Sequence, residues 1–272
     1  MEVHKGTRTE MTQQKTALIT GASFGIGQEL AAIFARESYS LVLVARTADK
    51  LRQIAADLEK AHGTRSLILA TDLAAPGAAA YVHDQTTRAD IKLDVLVNNA
   101  GFGQFGLFAE SDLEECLKQI QLNITTLTHL TRLYLPEMLA RKTGRILNVA
   151  STAAFQPGPL MAVYYATKAY VLHFSEAIAN ELKGTGVTVT CLCPGATVTE
   201  FHKRANMTNI NLLKFGAMDA HTVAEDGYRG LMAGKPLVIS GFKNWLLAQS
   251  VRLSPRQLVI AVARKLQETR NQ

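Results

Sequence analysis

A chain of 272 residues, 47% of them hydrophobic, is long enough to bury a substantial core. Its net charge of +6 is modest, and the basic residues lack the interleaved aromatics of a nucleic-acid platform. No run reaches the ~18 consecutive apolar residues of a membrane span, and three cysteines cannot build a disulfide framework.

The first fourteen residues are polar and carry no apolar h-region, so residues 1–14 are expected as a frayed tail, not a secretory signal. Residues 15–20 read as a short buried strand running into the turn Gly21-Ala22-Ser23-Phe24-Gly25-Ile26-Gly27. A helix follows, with Ile26, Leu30, Ile33 and Phe34 at helical spacing. Residues 41–44 are continuously apolar, as a parallel strand covered on both faces should be. Residues 47–61 form an amphipathic helix with Leu51, Ile54 and Leu58 on one face, and residues 67–69 and 95–97 are the third and fourth strands. A long helix is expected over 112–140, carrying Leu113, Leu117, Ile120, Ile124 and Leu127, with Pro136 placed to kink its end.

Residues 145–149 are the fifth strand, and a helix bearing Tyr164 and Lys168 runs toward Leu182, closed by Gly184 and Gly186. Residues 187–192 and 237–239 are the sixth and seventh strands. Cys191 and Cys193 flank Leu192 in the sixth and are expected as ordinary core residues pointing to opposite faces. With Cys116 they are expected as reduced thiols, which fits a cytoplasmic protein. Strands spaced by helices of this length specify parallel pairing through right-handed crossovers. The expected fold is α/β: one Rossmann-type doubly wound domain over 15–240, with a seven-stranded, mainly parallel sheet. Residues 241–272 are expected as a C-terminal helical extension.

Three groups carry the chemistry. A phenol titrates near ~10, and a neighbouring ammonium favours its phenolate. Tyr164 and Lys168 lie one helical turn apart on one face, so they can converge on one reacting centre, where the Ser151 hydroxyl can hold a carbonyl oxygen. Gly21, Gly25 and Gly27 sit between a buried strand and a helix, where glycine lets backbone amides approach a pyrophosphate. The spacing, Gly-x3-Gly-x-Gly, departs from the common dinucleotide fingerprint. At the end of the second strand, where NAD-binding folds place an acid, the chain has Ala45-Arg46-Thr47. Arg46 can pair bidentately with a 2′-phosphate and Ser23 and Thr47 can add hydroxyl donors, so the expected cofactor is NADP(H).

These residues resemble the signature of the short-chain dehydrogenase/reductase family. Thr20-Gly-Ala-Ser-Phe-Gly-Ile-Gly27, Asn98-Asn99-Ala100-Gly101, Asn123, Ser151, Tyr164-x3-Lys168 and Pro194-Gly195 follow in the family's order over residues 15–240. The resemblance, closest to bacterial reductases with a C-terminal helical extension, implies several roles. Asp72 would bond the adenine amino group, with Phe24, Ile26 and Leu73 beside the dinucleotide. Asn99, Ala100 and Gly101 would pack along the adenine ribose, and Asn123 would hold a water relaying protons to Lys168. Pro194 and Gly195 would let the backbone approach the nicotinamide, with Thr199, or Thr197 as its local rival, holding the carboxamide or phosphates. Asp72 as a helix cap, and Asn98 and Asn99 as turn residues, are the structural alternatives.

The implied reaction is NADPH-dependent interconversion of a carbonyl and an alcohol, with Tyr164 as the acid, Ser151 positioning the oxygen, and Lys168 holding the ribose and lowering the Tyr164 pKa. Tyr165 and Thr152 fit the family register worse than Tyr164 and Ser151. The substrate pocket should draw on residues 102–105, 153–163 and the segment after Thr199, and Phe155, Pro157, Pro159, Leu160 and Met161 favour an apolar ketone, aldehyde or acyl group over a sugar. His202, Lys203 and Arg204 could meet an anionic substrate or form a solvated loop face. A cofactor sensor without turnover, or an epimerase or dehydratase on nucleotide sugars, are the rival functions. Family members commonly pair through the long helix and the catalytic helix, so a dimer or tetramer is implied.

From Phe242 onward, Lys243, Arg252, Arg256, Arg264, Lys265 and Arg270 stand against one acid, Glu268, on two amphipathic segments. Packing onto the domain or a second subunit, covering the substrate site, and touching an anionic membrane surface all remain open for them.

Overall fold

The structure is a computed structural model that describes residues 14–197 and 217–268. Most of the expected tail, and Thr199, His202, Lys203 and Arg204, lie outside the described residues. Seven strands, β1 (Thr16–Thr20), β2 (Ser40–Ala45), β3 (Ser66–Ala70), β4 (Val95–Asn98), β5 (Gly144–Val149), β6 (Val187–Cys193) and β7 (Leu237–Ile239), form one sheet in the order β3-β2-β1-β4-β5-β6-β7. Every pairing is parallel.

Alternation along each strand feeds both faces. Ala17 and Ile19 of β1 join the core beneath α1 (Gly25–Arg36), α2 (Ala48–His62) and α7 (Ala220–Met232). Leu18 between them enters the opposite core, against α3 (Ala78–Arg88) and α5 (Leu127–Ala140). Two-sided burial is what the continuous apolar runs required.

The same alternation corrects one expectation. Cys191 and Cys193 are two residues apart, so they share a face; their sulfurs lie 3.9 Å apart in a small core with Val171 and Leu172 of α6 (Ala162–Glu181), while Leu192 points to the other side. Both thiols are free and buried.

The long helix forms with a defined irregularity. Asp112 caps α4 (Leu113–Ile120) by accepting from the Glu114 amide at 2.8 Å, a π-helical turn spans Gln121–Thr126, and α5 continues through Pro136. The departure from α-geometry sits at Asn123, and such turns are frequent at functional sites. Leu113 and Leu117 face outward, 67% and 55% exposed, so the apolar stripe of α4 does not serve this chain's core. The C-terminal segment is two helices, α8 (Phe242–Leu253) and α9 (Arg256–Gln267). Among the described residues no helix is long and apolar enough to cross a membrane.

Candidate functional site

Strand order reverses between β1 and β4, and their carboxyl ends open a crevice there. Thr20 closes its floor: the hydroxyl donates to the Val97 carbonyl at 3.1 Å and accepts from the Asn99 and Ala100 amides at 2.9 and 3.0 Å. Asn99 returns its amide to the carbonyls of Thr20 at 2.9 Å and Gly21 at 3.3 Å. Asn98 is turned inward to Thr131 and to Asn148 of β5, so the first asparagine ties the sheet and the second shapes the turn.

The glycines follow from this crowding. Gly21 is left-handed (φ 66°), and a Cβ on Gly27 would stand 2.3 Å from the Gly21 carbonyl oxygen. No side chain caps α1, so its first amides face the crevice unclaimed by a cap, the arrangement that suits an anion. Ser23, Phe24, Gly25 and Ile26 line this wall of a cavity of about 630 Å³. Arg46 and Thr47 stand exposed where β2 ends, also lining it, and Thr47 does not use its hydroxyl to cap α2. Asp72 accepts from the Ala74 amide at 3.0 Å, a turn contact, while Asp72 and Leu73 face the same cavity.

At the other end of the cavity stand Ser151, Tyr164 and Lys168. The Ser151 hydroxyl bonds Tyr164, lies 3.5 Å from the Pro194 carbonyl and accepts from the Ala153 amide at 3.1 Å. Lys168 is buried, its ammonium 5.8 Å from the Tyr164 ring centroid and donating to the Val149 carbonyl at 2.8 Å. Burial lowers the Lys168 pKa to about 8, and burial drives the Tyr164 phenol well above its ordinary range against the pull of the Ser151 hydrogen bond. That direction is opposite to the sequence-based expectation for Tyr164, because desolvation of the phenol outweighs the Ser151 hydrogen bond. The phenol therefore stays protonated at neutral pH.

Asn123 is 1% exposed and sits in the π-turn behind this group. It donates to the Phe102 carbonyl and the Thr167 hydroxyl, both at 3.0 Å, and accepts from the Phe102 amide at 3.2 Å. A Cβ on Gly101 would lie 3.0 Å from the Asn123 oxygen and 3.4 Å from the Lys168 nitrogen, so glycine is what lets these two groups approach the crevice together. Pro194, Gly195 and Thr197 border the cavity; the Thr197 hydroxyl donates to the Gly195 carbonyl at 3.0 Å.

The far wall differs from expectation. Phe102, Ala153, Gln156 and Met161 face the cavity, but Phe155 packs into the small core of α6, and Leu160 lines a separate 230 Å³ pocket with Gln104 and Phe105. Pro157 and Pro159 line neither. In their place α9 supplies Ala263, Leu266 and Gln267. Gln267, 1% exposed, donates its amide to the Tyr165 hydroxyl, and a Cβ on Gly158 would fall 2.2 Å from the Tyr165 ring. Tyr165 is thus pinned between a glycine and the C-terminal helix, while Tyr164 meets Ser151. Of the apolar residues legible on α9 in the sequence, Leu258 and Val262 stay exposed; the side chains it buries are Ala263 and Gln267.

Gln267→Leu should cost about 1 kcal/mol of stability, read as a lower urea midpoint, with the NADPH Kd unchanged. An unchanged midpoint would mean that α9 is not docked here in solution.

The sequence profile described as "short chain dehydrogenase" matches residues 15–209. The very-long-chain 3-oxoacyl-CoA reductase of Pyrenophora tritici-repentis is 36% identical over 191 residues, covering 69% of this chain and 56% of that protein. Across three curated relatives the match spans 53–61% of their own length. A short-chain dehydrogenase from Sphingobium yanoikuyae solved with NADPH superposes with a TM-score of 0.78 at 33% identity, over 88% of this chain and 94% of that one. The bulky-bulky ketone specific alcohol dehydrogenase from Comamonas testosteroni gives 0.75 at 30% identity, over 89% and 93%. Profile, relatives and superposed sheets agree with the motif order, and the chain belongs to the short-chain dehydrogenase/reductase family.

Proposed function

We propose that this protein is an NADPH-dependent reductase of apolar ketones, aldehydes or acyl-type carbonyls, with Tyr164 as the proton donor. The observation that carries this reading is the Ser151–Tyr164 hydrogen bond facing the same cavity as Lys168 and the glycine-lined crevice. The crevice fits a dinucleotide: positions 21 and 27 have no room for a Cβ, position 101 is tight, and α1 starts uncapped. NADP(H), when bound, supplies the hydride. Gly21 to Gly27 would hold the pyrophosphate, Arg46 and Thr47 the 2′-phosphate, Asp72 and Leu73 the adenine, and Asn99 to Gly101 the adenosine ribose. Pro194, Gly195 and Thr197, on the border of the cavity, would receive the nicotinamide. The NADPH in the Sphingobium structure supports this choice over NAD(H).

Ser151 orients and polarises the substrate oxygen. Tyr164 gives its proton to that oxygen, and its raised pKa keeps the proton available for reduction. Lys168 contributes positive charge beside the phenol and a hydrogen bond toward the cofactor ribose. Asn123, bonded to Thr167 one residue before it, holds this part of α6 against the π-turn. The ketone and 3-oxoacyl substrates named for the relatives support an apolar carbonyl. The outward leucines of α4 and Tyr170 on α6 support a homo-oligomer joined through these two helices.

Consumption of NADPH with a panel of aliphatic, aryl and acyl ketones tests the assignment; cofactor binding without turnover would return the sensor reading. The pH profile adds a sign. Lys168 is an ammonium below about 8 and neutral above it, whereas Tyr164 remains an acid through that range. Reduction should therefore fall as pH rises through about 8, and Lys168→Arg should push that limb upward. A profile flat across this point would remove Lys168 from the mechanism.

A further inference from the structure

The helix α8 turns one side to the domain and carries an apolar stripe on the other. Asn244 and Ala248 turn inward, Asn244 lying against Gly195 and donating to the Ser240 carbonyl at 2.7 Å. Phe242, Trp245, Leu246 and Leu253 sit at positions i, i+3, i+4 and i+11, the stripe on the outer side. That stripe is open: Leu253 is 90% exposed and Phe242 75%, with the Phe242 and Trp245 rings stacked at 6.0 Å. On α9, Leu258 and Val262 are both about half exposed, while Ala263 and Gln267 turn in to the cavity. An apolar area of this kind on a described surface calls for a partner.

The charges around it select one. From Gly241 to Glu268 there are five cations and one acid. That acid, Glu268, pairs with Arg264 at 3.0 Å. Lys243 and Arg252 flank the α8 stripe on either side and Arg256 opens α9; none of the three makes an ion pair among the described residues. A second copy laid on the same face would bring these like charges together with no acid to meet them. An anionic bilayer offers what both features need, hydrocarbon for the aromatic and leucine side chains and phosphate for the cations.

We propose that the outer face of α8 and α9 docks this protein reversibly onto anionic lipid membranes. Binding is peripheral, with the helices lying in the interface plane, their inner sides still closing the site cavity. Docking places the cavity wall built by Ala263, Leu266 and Gln267 one helix diameter from the lipid. The inference stands apart from the reductase reading, because it uses no residue of the proposed reaction.

Cosedimentation of the full chain with phosphatidylglycerol–phosphatidylcholine vesicles, against phosphatidylcholine alone, tests it. Binding should occur only with the anionic lipid and weaken several-fold when salt is raised. Leu246→Glu with Leu253→Glu should reduce it by about tenfold or more, since both leucines lose their hydrocarbon contact. Turnover of a soluble ketone and the light-scattering mass should stay unchanged; Leu253→Glu alone serves if the double variant does not fold. No binding to either vesicle, or equal binding to both, overturns the proposal. So does a smaller mass in the double variant, which would make the face a contact between copies. Vesicle binding is read without turnover, so failure of the carbonyl assay would leave this result independent.

Discussion

Tyr164→Phe should lower kcat for ketone reduction by about 10²–10⁴-fold while the NADPH Kd moves by less than about twofold. The ring, its packing and its edge contact with Tyr165 all survive the change, and only the hydroxyl bonded to Ser151 is removed. Steady-state NADPH absorbance and a fluorescence titration of the cofactor separate the two quantities. Tyr165→Phe is the internal comparison. Its hydroxyl is held by Gln267 on α9, so its loss should disturb the pocket wall and KM instead of the proton transfer. Turnover retained in Tyr164→Phe would move the acid elsewhere.

Arg46→Ala is expected to weaken NADPH by about 10–100-fold and NADH by no more than about threefold. The guanidinium stands exposed at the end of β2 on the cavity rim, where no acid of β2 competes for a ribose hydroxyl. Exposure screens the charge, which places the effect toward the lower end of that range. Lys50, in the first turn of α2 and 5.9 Å from the Phe24 ring centroid, is a second cation that should preserve part of the preference. Isothermal titration with both cofactors reads the outcome, and equal losses would refute the 2′-phosphate assignment.

Much of this architecture is local in origin. The central runs of β1, β2 and β4 (residues 17–19, 41–45 and 95–97) are apolar and buried, so their two-sided coverage and parallel pairing could be read directly. The glycine turn, the Tyr164–Lys168 helix face and the absence of an acid after β2 are short-range patterns as well. Other features depended on distance. Asn123 carried a family expectation, but the π-turn in which it sits and its bonds to Phe102 and Thr167 of α6 are contacts made only in the folded chain. Phe155 and the two prolines near it were expected at the substrate, yet composition cannot say which way a loop side chain turns, and Phe155 turned to the core. The cysteine error was different in kind, since the period of two in a strand already put Cys191 and Cys193 on one face.

Periodicity and turn chemistry along the chain thus settled the class of fold and the strand count and singled out the proposed reacting side chains, because each is written in contacts between near neighbours. Assembly in three dimensions decided the direction of the Tyr164 pKa, the closing of the cavity by Gln267 and the outward turn of the leucines on α4 and α8. Those depend on desolvation and on surfaces meeting across 100 residues or more, as Gln267 meets Tyr165 at a separation of 102. No local pattern encodes how much water such a meeting removes.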